Sequence, residues 1–419
     1  MTNLADFGRR IFPDEPVRFN SAEFSRLLVC AVEAGASDVT IRSNCRVFAH
    51  IAGRIVAITE RRLEKSEVEL LIRDIYGENA MTMIGSGEPI DPSHEIRVGK
   101  NRYIRFRVNA TGARLHGDEG LEITIRTIPS DPPSFADLGI EAAIVDNFVH
   151  PQGLTLISGP TGSGKTTLLA AGIRSVLENP DSHKKIITYE APIEFTFDRF
   201  DDVAQSSFIT QSELPRHIGQ GFHGATRNAM RRASSIILYG ECRDRETMSS
   251  AMEGANTGHM IYATLHSLGV GKTMMRIAQL FQGDPQEQLQ MMLLAADCLR
   301  MIVSQTLLKR VDDPTKRVAI REFLVFTPEV REELLWLDDP MKIVMAVRRR
   351  VVAEGNSIEQ QAERLFAEGK ISRWDFLKLR QGGQVSREEP ATATDNNPTA
   401  RAAGHELAES REEGARHVA

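Results

Sequence analysis

Residues 154–167 read Leu-Thr-Leu-Ile-Ser-Gly-Pro-Thr-Gly-Ser-Gly-Lys-Thr-Thr, and this stretch decides the fold. Its second half fits G-x-x-x-x-G-K-[ST], with Gly159, Gly164, Lys165 and Thr166 at the fixed positions. Glycines let backbone N–H groups turn inward and close on phosphate oxygens where a Cβ would clash. Lys165 offers a point charge to the β- and γ-phosphates of ATP, and the Thr166 hydroxyl offers a ligand to Mg²⁺. Thr161, Gly162, Ser163 and Thr167 complete the expected cradle. Residues 154–158 read as a short buried strand, and 166–177 as a helix whose N-terminus faces the anion. The competing reading is a chance Gly-rich turn. Strand, loop and helix in that order favour nucleotide binding.

Around this loop, 419 residues suffice for about two domains. The chain is 41% hydrophobic and 26% charged, an ordinary globular balance. A net charge of −6 gives no global basic field, so no direct nucleic-acid binding is expected. Cys30, Cys45, Cys242 and Cys298 form no CxxC pair and no disulfide framework, which points to a reducing cytoplasm. The longest apolar stretch, 291–303, is interrupted by Asp297 and Arg300 and reads as a core helix rather than a membrane span. Any membrane association is then peripheral.

Ahead of the loop, Asn20-Ser-Ala-Glu23 and Ser66-Glu-Val-Glu69 look like capping boxes opening two helices. Residues 38–57 and 95–128 alternate as strands do, with a hairpin turn expected at Gly53-Arg54. This gives a small α+β domain over 1–127 and a Pro-rich linker over 128–136. Strands and helices then alternate through 259–264, which predicts a largely parallel sheet, and 270–380 reads as mostly helical. The second domain spans 137–383. The tail over 384–419 has no aromatic residue and carries four Arg against seven acids, so disorder is expected there.

ATP hydrolysis needs a carboxylate to orient water, and positive charge for the transition state. Glu190 falls at the carboxyl end of the next strand, where a parallel sheet binds ligand; the alternative is an exposed strand-end acid. In Ser235-Ile-Ile-Leu-Tyr-Gly-Glu-Cys-Arg-Asp244 a buried strand delivers Glu241 to the same edge, as a Walker B segment does. Glu241 is the candidate base; the alternative is an acid favoured by a helix N-terminus. Arg243 and Asp244 read as structural ion pairs. His266 lies just past the end of the 259–264 strand and reads as a γ-phosphate sensor, with His259 structural or at an interface. Arg105, Arg107, Arg114 and Arg126 of the first domain form a basic cluster: a solvated face, or arginine fingers toward an ATP if the ATPase is a ring.

Together these segments resemble the secretion ATPases of type II and type IV systems, the traffic ATPases related to PilT and VirB11. The match rests on the Walker A string, an Asp-box-like 188–195, a Walker B-like 236–244, a His box 257–266, Arg105-Phe-Arg-Val-Asn109 and Val303-Ser-Gln-Thr-Leu-Leu308. Gly35-Ala-Ser-Asp-Val-Thr40 and Tyr189-Glu-Ala-Pro-Ile-Glu194 lean toward the DotB and plasmid-transfer TraJ branch of type IVB secretion.

The resemblance implies an N-terminal PAS-like α+β domain, a RecA-like P-loop NTPase domain and a homohexamer. Such a ring drives a secretion or conjugation apparatus and is held at the inner membrane through partner proteins. It makes Glu241 the catalytic Walker B glutamate, Glu190 the Asp-box acid, His259 and His266 the His-box pair, and Arg107, Arg114 and Arg126 the arginines approaching nucleotide. Ala191 stands where that box commonly has Asp. The rival functions are a pilus-retraction motor, a RecA-like nucleic-acid translocase and a nucleotide-gated scaffold.

Overall fold

Alternation of apolar and polar side chains builds the first sheet of this computed structural model. The described residues are 11–51, 54–99, 103–115, 117–128, 131–200, 206–214, 217–219, 221–313 and 316–380. The expected disordered tail, Gly53 of the expected hairpin turn and linker positions 129–130 lie outside them. Strands β1 (Ala36–Arg42), β2 (Phe48–Ile51), β3 (Arg54–Ala57), β4 (Ser93–Arg97), β5 (Tyr103–Leu115) and β6 (Asp118–Ile128) lie in the order β3-β2-β1-β6-β5-β4. Every pairing in this sheet is antiparallel. Along β5, Phe106, Val108 and Ala110 are buried while Arg107 and Asn109 are exposed, the period of two that a one-sided core demands.

Two helices cover the apolar face. Helix Ser21–Glu33 turns Phe24, Leu27, Leu28 and Ala31 inward, and Asn20 caps it by accepting the Glu23 amide at 3.0 Å. Helix Lys65–Tyr76 turns in Val68, Leu71 and Ile72 and ends at Gly77, whose φ is +112°. Its capping box differs from the expected one. Glu64 and Glu67 form it, and the Glu67 carboxylate accepts the Glu64 amide at 2.7 Å. The helix thus starts two residues earlier than a Ser66 cap suggests.

The second sheet contains β7 (Gly153–Ser158), β8 (Lys185–Glu190), β9 (Phe208–Glu213), β10 (Ile236–Tyr239), β11 (Met260–Leu265), β12 (Leu299–Lys309) and β13 (Arg317–Val325). Their order is β13-β12-β7-β11-β10-β8-β9, parallel throughout except for the antiparallel β12–β13 pair. The chain is thus α/β with a mixed, mostly parallel sheet. Residues of β7, β10 and β11 are all buried, which explains their unbroken apolar runs. Helix Lys165–Glu178 covers one face, packing Leu168, Leu169 and Ile173 with Ile157, Ile186 and Tyr262. Helices Arg245–Asn256, Val270–Leu280, Pro285–Cys298 and Pro340–Ala353 cover the other through Met248, Met274, Met292 and Val347.

Residues 270–380 are mostly helical as expected, but they also contain the β12–β13 hairpin. The stretch 291–303 is not one core helix: its helix stops at Cys298 and β12 begins at Leu299. Leu299 turns extended with no Gly or Pro to announce the break, so the apolar run conceals the change. β12, β13 and β9 were not foreseen as strands. No helix among the described residues is long and apolar enough to cross a membrane.

Candidate active site

Parallel register brings the carboxyl ends of β7, β8, β10 and β11 to one edge, where open α/β sheets bind ligands. The phosphate loop leaves β7 there. Thr161, Gly162, Ser163, Gly164, Lys165, Thr166 and Thr167 line a cavity of about 820 Å³. Gly159 lies beneath this wall at φ +148°, and a Cβ on it would sit 2.2 Å from the Gln305 carbonyl oxygen. Lys165 is buried, and its Nζ donates to the Gly159 and Pro160 carbonyls at 3.0 and 3.1 Å. Burial draws its ammonium pKa down, and the Glu241 and Glu194 charges partly restore it.

Glu241 follows Gly240 at the end of β10. Its carboxylate meets Arg243 at 2.7 Å and His266 Nε2 at 3.2 Å. The side chain of Glu241 is 18% exposed and that of His266 46%, so the pair faces the cavity from its rim. Arg243 is more than a structural pair, since it lines the same cavity. Asp244, read as part of an ion pair, lines this cavity too and caps helix Arg245–Asn256 by accepting the Thr247 amide at 2.8 Å. His259 lies at the far end of β11 against the Gly254 carbonyl, away from the cavity.

Glu190 is not an exposed strand-end acid: it is 6% exposed and lines the cavity. It accepts from Thr188 Oγ1 at 2.7 Å and Gln211 Nε2 at 3.2 Å. Burial nevertheless pushes its carboxyl up to about 7 from an ordinary 4.5. Between those values the folded chain holds a proton that the unfolded chain releases. This group's contribution to stability therefore falls as pH rises through that window, by about 3 kcal/mol in all. Glu190→Gln should melt with the wild type near pH 4.5 and above it at pH 8, as thermal midpoints across that range would reveal. A constant difference between the two proteins would refute this.

The antiparallel sheet and the segment leading into it form the opposite wall. Asp91 and Arg107 line the cavity, Arg107 because the β5 alternation turns it away from its own core. Arg105 is buried on β5, pairing with Glu95 at 2.8 Å and donating to the Glu194 carbonyl at 3.4 Å. Ser93 Oγ donates to Glu213 Oε1 at 3.2 Å, a second tie between the domains. Arg114 and Arg126 are exposed, and neither reaches the cavity. Arg126 pairs with Asp38 at 2.7 Å.

Sequence reading missed Asp91, Glu213, Leu307 and Arg317, all on the cavity wall. Glu213 ends the unforeseen β9, paired in register with Glu190. Leu307 and Arg317 belong to the unforeseen β12–β13 hairpin. For Asp91 the sequence carried no signal.

A phosphate chain fits the loop on two counts. Two glycines keep it clear of Gln305, and the buried Ser163 Oγ has no hydrogen-bond partner within the chain. Thr166, Glu241 and Glu190 offer hard oxygens suited to Mg²⁺. Among the described residues no three or more His, Cys, Asp or Glu gather to hold a metal, so Mg²⁺ would take phosphate and water oxygens as well.

The family described as "Type II/IV secretion system protein" matches residues 21–417. The Pseudomonas aeruginosa type IV pilus retraction ATPase PilT is 32% identical, over 84% of this chain and 96% of its own. Among solved structures, the Legionella pneumophila ATPase DotB superposes with a TM-score of 0.75 at 41% identity, covering 88% of this chain and 98% of its own. The pilus retraction motor PilT with bound ADP gives 0.73 at 26% identity, covering 87% and 97%. With its phosphate loop, strand-end carboxylates and similarity over most of its length, the chain belongs to the type II/IV secretion system protein family and is a P-loop ATPase of the secretion and pilus group.

Proposed function

We propose that this chain is the ATP-hydrolysing, homohexameric motor of a type IVB secretion or conjugative transfer apparatus. The observation that carries the reading is the two-walled cleft: phosphate loop and Glu241 on one side, Arg107 of the other domain opposite. Lys165 and the loop amides bind the phosphates. Glu241, held by Arg243 and His266, accepts the proton of the attacking water and orients it. Arg107 meets charge developing on the γ-phosphate, and Arg114 and Arg126, exposed in a single chain, are offered to a neighbouring subunit's nucleotide. Bound Mg²⁺, held through Thr166, supplies further charge neutralisation.

The PAS-like reading of the first domain draws support from its antiparallel sheet, in which the first and last strands lie side by side. Cytoplasmic placement, with inner-membrane docking through partner proteins, belongs to the same proposal. The 41% identity to DotB favours type IVB secretion. The 32% identity along nearly all of a pilus retraction ATPase supports pilus retraction as the second reading. Loss of plasmid or protein transfer on deletion supports the first, and loss of pilus retraction the second.

The direct test is steady-state phosphate release measured alongside mass in solution. Mg²⁺-dependent turnover by a six-subunit particle is expected. A monomer hydrolysing ATP at the full rate would refute the shared ring, and binding without turnover would leave a nucleotide-gated scaffold.

A further inference from the structure

The segment Val303-Ser-Gln-Thr-Leu-Leu308 is a sequence motif that the hydrolytic reading leaves unused. Strand β12 pairs with β7 up to Ser304 beside Ser158, so its next residue, Gln305, runs under the phosphate loop. Gln305 Nε2 donates to the Ser163 carbonyl at 2.6 Å, and its Oε1 accepts from Arg321 Nε at 2.7 Å. A guanidinium has donors only, so the amide oxygen must face Arg321 and the amide nitrogen must face the loop.

Arg321 lies opposite Gln305 on β13. Its other N–H groups go to Glu141 Oε2 at 3.0 Å and to the carbonyls of Gly139 and Leu138, each at 3.3 Å. Those carbonyls close the short helix Phe135–Leu138, at the end of the Pro-rich stretch read as a linker. Gln305 and Arg321 are each only 4% exposed, and the two bonds that Gln305 makes, to Ser163 and to Arg321, are buried from water. A parallel tie runs from the phosphate-loop helix, where Arg174 donates to the Pro132 carbonyl at 3.0 Å.

We infer that Gln305 is a positioning residue for the phosphate loop and that, through Arg321, it joins the loop to the segment entering from the linker. The inference rests on the nucleotide-binding reading. A nucleotide that draws the loop around its phosphates moves the Ser163 carbonyl, and the buried relay carries that displacement to residues 138–141. Packing alone would be met by an apolar side chain at Gln305. The amide is needed because the Ser163 carbonyl and the Arg321 guanidinium both require a buried partner.

The test uses the full chain, equilibrium binding of a fluorescent ADP analogue, thermal midpoints, and hydrogen exchange of amides 131–141 with and without saturating ADP. Gln305→Glu keeps an acceptor for Arg321 but sets a carboxylate oxygen against the Ser163 carbonyl. It should bind the analogue about tenfold more weakly while melting near the wild type. Gln305→Met, which removes both links, should weaken binding at least as much. Arg321→Met should abolish the ADP-dependent change in protection at 131–141 that the wild type displays. Arg321→Lys, which keeps the charge facing Glu141, should retain part of it. Wild-type affinity in both Gln305 variants, or no ADP response at 131–141 in the wild type, would overturn the relay. A wild-type chain that binds no ADP would overturn the nucleotide reading itself.

Discussion

Glu241→Gln is expected to lower ATP turnover by about 10²–10⁴-fold, the usual worth of a general base, while changing ADP affinity by less than about tenfold. The substitution keeps the size of the side chain and one acceptor oxygen for Arg243, while an amide nitrogen replaces the oxygen that faces His266. It removes the capacity to take a proton. Because Glu241 lies at the rim of the cavity rather than in the phosphate loop, ground-state binding should survive. Phosphate release under saturating ATP, paired with a nucleotide titration, separates the two effects. Undiminished turnover in this variant would remove Glu241 from the mechanism and leave Glu190 as the acid to examine.

Gly159→Ala is expected to weaken nucleotide binding by about 100-fold, equivalent to about 3 kcal/mol of combined strain and overpacking. Two independent penalties meet at this position. Its φ of +148° is one that side chains rarely adopt, and the new methyl would sit 2.2 Å from a backbone oxygen of Gln305. That oxygen belongs to a strand hydrogen-bonded on both sides, so it cannot retreat as a flexible side chain would. The strain is relieved only by shifting the loop, which misaligns its amides with the phosphates. ADP titration by calorimetry measures the loss. Affinity within threefold of the wild type would mean that the loop has freedom the close β7–β12 approach denies it.

That Glu190, Glu241 and His266 share one cavity was legible in the sequence for one physical reason. Glu190, Glu241 and His266 each lie at or just past the end of an apolar strand, and parallel strands put those ends on one edge. Arg107 was legible as a member of a basic cluster, but its being the one member on the cavity wall was not: Arg126, its register partner on β6, turns to Asp38 instead. Which of these arginines faces the phosphate loop depends on how the two sheets face one another, a long-range fact with no local signature.

β9 escaped notice because Phe208–Glu213 is half exposed and polar, as suits an edge strand. β12 escaped because its apolar run continues the preceding helix without a breaker. Gln305 was quoted in a motif, yet its task depends on a register that only the assembled sheet defines. The same holds for Glu213, whose contact with Ser93 crosses between domains.

The cleft between the domains has a mechanical counterpart. One wall carries Arg107 and Asp91 on the antiparallel sheet, and the other carries the phosphate loop. A ligand touching both walls is bound less tightly when the walls part, and reciprocity makes the converse hold. Tension applied to the antiparallel sheet then acts on the nucleotide as dilution does, and a higher nucleotide concentration acts on the sheet as a stiffer spring. The largest load such a cleft can resist is set by the difference in nucleotide affinity between its closed and open forms, divided by the distance the walls travel.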